Sequence, residues 1–346
     1  MNIIRNVFIA MTAVLLLVGC GEGEDQQGSQ TSTEGDTGGE KTGDVTIGYF
    51  PNLDHAAAIV GKEKGYFEEE LVNYNVDFTH FPNGNDFIDA LDAGNIDLGY
   101  VGPGPAINYF LSGGDVVVIG AAANGATLIV SREDSGILTL EDFDGGSFCT
   151  PGNGCTHNVQ LEIMLNEIGL KSNRLGGTVE HQSRVNPASM VAMFEQGQID
   201  AAAAPEPWGT LLVEEHNANV VTEWNEVFLG KELASVVIVT SSDFLESHPD
   251  AVEQALRAHK RSVDFAHENT SDTLNTVNDL IFNLTQSRLP EHVLEKAWER
   301  MVVTTETHGE ALQAWATASY ELQFMDVEPD LDGFVDTSIL DAILSE

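Results

Sequence analysis

Short apolar runs alternate with stretches of helical periodicity along the first half of the chain. VTIGYF (45–50) precedes AAAIVGKEKGYF, VDFTHF (76–81) precedes NDFIDALDAG, IDLGYV (96–101) precedes PAINYFLSGG, and VVVIGAAA (116–123) follows. Runs of this length suit strands buried on both faces, and the segments between them carry apolar residues at helical spacing. The alternation predicts an α/β fold with a mainly parallel sheet flanked by helices. It restarts after Gly145 with SFCT, THNVQLEIMLNEIGL, TVEHQ, NPASMVAMFEQGQ, IDAAAAP and PWGTLLVEEH. A third segment opens with ASVVIVTSS (234–242), after which PDAVEQALRAHKRSVDFAHEN, TSDTLNTVNDLIFNL, PEHVLEKAWERMV and GEALQAWATASYELQFM all read as helix.

This rhythm implies two lobes. Residues 45–132 together with 234–346 are expected to form lobe 1, with the C-terminal helices packed on it, and residues 133–233 lobe 2. About 300 residues exceed what one ordinary core holds.

Ahead of the lobes lies a different kind of chain. One basic residue, Arg5, precedes the apolar stretch Val7–Val18, which is too short to span a bilayer comfortably and fits a secretory signal over residues 1–19. It ends in Leu17-Val18-Gly19-Cys20, which resembles the lipobox of bacterial lipoproteins; that resemblance implies cleavage before Cys20 and lipid on its thiol. Residues 20–44 read as a flexible tether, because Gly21–Asp44 holds no aliphatic or aromatic side chain to offset the entropy of ordering. An export signal and lipid anchor place the folded part on the outer face of the cell membrane.

Charge narrows the partners. Fifteen Lys and Arg against 55 Asp and Glu give a net charge of −40. Such a surface disfavours nucleic acid and anionic lipid. It keeps a protein hydrated where salt screens repulsion, as expected in brine.

Several stretches then resemble the substrate-binding proteins of ABC importers for nitrate, taurine and aliphatic sulfonates, with their pyrimidine-binding relatives. They are IGYFPNLDHAAAIVGKEKGYFEEEL (47–71), DALDAGNIDLGYVGPGPAINYFLSGGDVVVIGAAANG (89–125), TPGNGCTHNVQLEIMLNEIGL (150–170), AMFEQGQIDAAAAPEPWGTLLVEE (192–215) and SSDFLESHPDAVEQALRAH (241–259). The resemblance implies a type II periplasmic-binding fold that closes on a small anionic or polar solute. It also implies delivery to a permease and ATPase complex; with no nucleophile–base pair at recognisable spacing and no phosphate-binding Lys motif, no catalysis and no cofactor are expected, and a monomer is expected.

In open α/β sheets, ligands sit beyond the carboxyl ends of strands, where loops feed helix N-termini. Four loops fit. In Pro51–His55, Asn52 and His55 are candidate contacts, and Asp54 is expected to cap the following helix. In Gly102–Pro105, Gly102 and Pro103 begin a helix that is expected to aim free N–H groups at the cleft from Ala106. Asn124 and Gly125 follow the strand VVVIGAAA as a candidate cleft turn. In PEPW (205–208), Glu206 is either a ligand acceptor or a structural carboxylate, and Trp208 either lies against an apolar ligand or belongs to the core.

The stretch FCTPGNGCTHN (148–158) occupies the corresponding place in lobe 2. Gly154, Cys155, Thr156 and His157 are candidate contacts, and a Gly-rich strand-to-helix turn favours an anion. Cys155 stands where the family usually has Asn. With Cys20 lipidated, Cys149 and Cys155 form an even pair outside the membrane, for which a disulfide is expected. Such a loop contributes roughly 2 kcal/mol in the entropic account.

A metal reading has three ligand types in Cys149, Cys155 and His157, but no standard zinc spacing, and no metal site is expected. Two alternatives to anion binding stand: a pyrimidine (thiamine-precursor) binding protein of the same fold, and an enzyme resembling the metal-dependent pyrimidine synthases.

Overall fold

The computed structural model describes Lys41 and residues 43–346. The expected signal segment, Cys20 and all of the tether up to Glu40 lie outside the described residues. In chain order the strands are β1 (Gly43–Tyr49), β2 (Tyr74–His80), β3 (Leu98–Val101), β4 (Val117–Gly125), β5 (Thr127–Ser131) and β6 (Ser147–Cys149). They continue as β7 (Glu180–Gln182), β8 (Ala201–Pro205), β9 (Asn219–Thr222), β10 (Ala234–Thr240) and β11 (Met301–Val303).

Two sheets result, one per lobe. The first has the order β11-β4-β10-β3-β1-β2 and the second β7-β6-β8-β5-β9. β1 pairs in parallel with β2 and β3, and β6 in parallel with β7 and β8. β10 runs antiparallel to β3 and β4, and β5 antiparallel to β8 and β9. Both exceptions have one cause. β5 is the first strand after the chain leaves β4 for the second sheet, and β10 the first after it returns. Each enters its sheet from the cleft side, against the strands whose carboxyl ends face the cleft.

Three expectations change. Residues 127–131, placed in lobe 1 by the expected boundary after 132, pair within the second sheet as β5, so the crossing falls at Ala126 (φ +60°). Order begins before the expected residue 45, since Gly43 and Asp44 pair with Tyr74 and Asn75; a ladder needs backbone, not apolar side chains. Met301 and Val302, expected to continue a helix, join Val303 in β11 because β4 offers them a free edge. In the first sheet β1, β2, β3 and β4 run in one direction, and β10 and β11 run against them.

Continuous apolar runs on β4, β5, β8 and β10 are buried throughout, as strands covered on both faces require. The helix Pro249–Glu268 shows why the C-terminal region stays with lobe 1. It starts with Pro at its first turn and buries Ala251, Val252, Ala255, Leu256, His259 and Val263 along one face. His259 is fully buried yet satisfied: Tyr100 Oη lies 3.1 Å from its Nδ1, and Ala121 O 3.0 Å from its Nε2. No helix among the described residues is long and apolar enough to cross a membrane.

Candidate functional site

The lobes meet where the carboxyl ends of their strands face each other. The helix Pro103–Leu111 of lobe 1 points its N-terminus at that of the helix Thr156–Glu167 of lobe 2. Gly104 N–H donates to Thr156 Oγ1 at 3.3 Å, and Asn108 Nδ2 donates to Gly154 O at 3.1 Å. On the other side of the cleft, Leu53 N–H donates to Glu206 O and Trp208 Nε1–H to Asn52 Oδ1, both at 2.9 Å. These four bonds draw the lobes together around a cavity of about 50 Å³. That is room for a few water-sized molecules.

Six of the anticipated residues line this cavity: Asn52, His55, Gly102, Cys155, Thr156 and His157. His55 is buried, and its Nδ1 accepts from Phe50 N–H at 3.4 Å, which leaves the proton of the neutral ring on Nε2. Burial lowers its pKa to about 3, helped by the neighbouring His157. Burial likewise lowers that of His157 to about 4, and its Nε2 has no hydrogen-bond partner. Both imidazoles are therefore neutral at pH 7.

The other anticipated residues are nearby but serve the scaffold. Pro103 is buried as the first residue of its helix. Two of the first three residues of that helix are prolines without an N–H, and the Gly104 amide is taken by Thr156, so the expected row of free donors is absent. Asn124 and Gly125 end β4 at the interlobe crossing: Asn124 Nδ2 donates to Lys231 O, and Gly125 (φ +82°) lies under Trp224, where a Cβ would come within 2.6 Å of the ring. Gly154 holds a left-handed turn, its N–H donating to Asn158 Oδ1. Glu206 is buried but accepts from Thr210 N–H and Oγ1–H, and Arg300 donates to the same hydroxyl. Both of its carboxylate oxygens are thus engaged within the protein, and burial raises its pKa to about 7. Trp208 belongs to the apolar core together with Leu53 and Ala126 and ties the lobes through Asn52.

Sequence reasoning missed one residue with more consequence than these. Asp54 is 3 % exposed, caps no helix, and lines the cavity with Oδ1 unpartnered. Burial pushes its carboxyl up to about 8, against the opposing effect of the Asp54 and His55 amides and with help from the charge of Glu206. The helical start at Asn52–Ala56 made a cap the natural reading; the short 3₁₀ turn Leu53–His55 ahead of the α-helix turns Asp54 inward instead.

Cys149 and Cys155 are free thiols, not the expected disulfide. Cys149 ends β6 facing Leu128, Val130, Met190 and Phe194 beneath the second sheet, whereas Cys155 turns to the cleft at the N-cap of the next helix. Burial raises both thiol pKa values. No group of three or more His, Cys, Asp and Glu among the described residues is arranged to hold a metal ion.

A larger hollow of about 490 Å³ runs between the helices Thr270–Thr285 and Glu291–Trp298. It is lined by residues of lobe 1 alone. The smaller cavity is the better candidate, because both lobes and several strand ends converge on it.

Known proteins share this architecture. Residues 38–278 match the NMT1-like family. A Bacillus subtilis (strain 168) protein named for aliphatic sulfonate binding is 23% identical, over 99% of this chain and 97% of its own length. The alkanesulfonate-binding protein SsuA from Xanthomonas axonopodis pv. citri, bound to MOPS, superposes with a TM-score of 0.73 at 20% identity, covering 86% of this chain and 99% of that one. The periplasmic nitrate-binding protein NrtA from Synechocystis PCC 6803 gives 0.69 at 14% identity, covering 88% and 89%. The fold is the two-lobed α/β fold of type II periplasmic binding proteins.

Proposed function

Because this chain belongs to the NMT1-like family, we propose that it is the extracytoplasmic solute-binding component of an ABC importer, capturing a small organic anion between its lobes for a membrane permease and ATPase. The observation that carries this reading is the cavity lined by both lobes at the N-terminus of the helix Thr156–Glu167. The dipole at that terminus and the Thr156 amide favour negative charge. The sulfonate-binding relative in Bacillus subtilis, similar over nearly the whole chain, supports an organosulfonate as the solute.

A thermal-shift panel in high salt tests it, with alkanesulfonates, 2-aminoethanesulfonate, nitrate, phosphate and aminopyrimidines. A true ligand at a hundredfold excess over Kd adds about 2.7 kcal/mol of stability. We expect that shift from a sulfonate. A response to aminopyrimidines alone replaces the anion with a pyrimidine and keeps the transport role, while silence across the panel removes the solute-binding reading.

Anchoring belongs to the same proposal. Leu17-Val18-Gly19-Cys20 supports a lipid on Cys20. The Cys20→Ala form is expected in the medium or unprocessed; a processed, membrane-bound product on fractionation contradicts the anchor.

A further inference from the structure

We propose that Asp54 sets the ligand class: the cleft takes a small molecule that brings a protonated amine to Asp54 Oδ1, and it discriminates against otherwise similar anions that lack a donor. This rests on the solute-binding reading above and narrows it.

The argument begins with an unmet hydrogen bond. Buried polar atoms are nearly always paired, and an exception in a cavity asks for a partner from outside the protein. Asp54 Oδ1 is such an exception. Its acidic neighbour is not, because Glu206 is occupied by Thr210 on both carboxylate oxygens. The open acceptor in the cleft is therefore on Asp54, and it is joined there by the unpartnered Nε2 of His157.

Charge points the same way. No Lys or Arg lines the cavity. A simple anion would meet a buried carboxyl and two neutral imidazoles with no countercharge. Without a ligand, burial holds the Asp54 carboxyl protonated at pH 7; an incoming ammonium, a compact donor of three hydrogen bonds, favours the ionised carboxylate and neutralises it. The amides of His157 and Asn158 face the Cys155 thiol, so the Thr156 amide and the helix dipole behind it remain for the anionic end of the same ligand.

The test is calorimetry on the full chain with a matched pair, 2-aminoethanesulfonate and ethanesulfonate, with nitrate as a third probe. The amine is expected to bind at least tenfold more tightly than its des-amino partner, and nitrate not to compete. Asp54→Leu should remove the preference and Asp54→Asn, which keeps an acceptor oxygen without the charge, should reduce it. Circular dichroism checks that both variants are folded, and a purely structural role for Asp54 would lower both affinities without changing their ratio. Equal affinities in the parent protein, or an unchanged ratio in both variants, overturn the role of Asp54 and leave solute binding intact. Failure of both sulfonates to bind overturns the sulfonate reading itself.

Discussion

Gly104→Ala is expected to weaken solute capture at least tenfold while leaving each lobe folded. A Cβ at this position would stand 2.8 Å from Thr156 N, 3.0 Å from Gly154 O and 3.0 Å from the Trp315 ring. The first two are backbone atoms of the opposite lobe and cannot swing away. The lobes would have to separate, breaking the Gly104–Thr156 and Asn108–Gly154 bonds that close the cavity. Within its own helix the change is favourable, since alanine exceeds glycine in helix propensity by about 1 kcal/mol. The variant thus separates closure from folding. Calorimetry reads the affinity and small-angle scattering reads the compactness. An unchanged Kd together with an unchanged radius of gyration would show that the helix N-termini need not meet for binding.

Unfolding stability is expected to peak near pH 6.5 and to fall on both sides. On the acid side the cause is four histidines held neutral by burial: His55 at about 3, and His157, His181 and His259 at about 4. Their pKa values are depressed on folding, so the unfolded chain binds more protons between pH 6.5 and 4, and stability drops as pH falls through that window. At pH 4.5 each fully buried histidine contributes a loss of roughly 2 kcal/mol. Asp54 and Glu206 act oppositely, being raised on folding to about 8 and about 7. Their contribution is fully present below the unfolded carboxylate range and is lost as pH rises toward 8. Four histidines against two carboxylates leave a net uptake of about two protons on acid unfolding. Above pH 6.5 the unfolded histidines lose their remaining protons over about one unit, and proton release from the two carboxylates overtakes them and sets the sign of the slope. Thermal unfolding from pH 4.5 to 8.5 in high salt, which screens the −40 net charge, measures this. Asp54→Asn should flatten the alkaline limb selectively. A stability that rises steadily to pH 8.5 in the parent protein would contradict the buried states of both carboxylates.

The legible and illegible parts of the site differ for a physical reason. Asn52, His55, Gly102 and Thr156 were found because each follows a buried apolar run at a strand's carboxyl end, and topology alone puts such loops beside the cleft. Asp54 was misread because a short acidic residue before a helix looks the same whether its carboxyl caps that helix or turns inward. Only the intervening 3₁₀ turn separates the two. Trp208 and Glu206 were left with two readings each, and their partners explain why. Asn52 lies 156 residues from Trp208, and Arg300 reaches Glu206 through Thr210 from the other lobe's sequence. The cysteine pair was misjudged by counting, since parity does not say that Cys149 faces a core while Cys155 faces the cleft.

By itself, the sequence determined the alternation of strands and helices, the existence of two lobes and the loops that border the cleft. Buried strands demand continuous apolar runs, and amphipathic helices demand their own period, so both are written locally. The tertiary structure alone decided the reversed direction of β5 and β10, the recruitment of β11 to β4, and which polar atoms at the cleft remain unpaired. Those outcomes depend on how two separately folded sheets approach one another, and hydrophobic periodicity records that a residue is buried without recording what it is buried against.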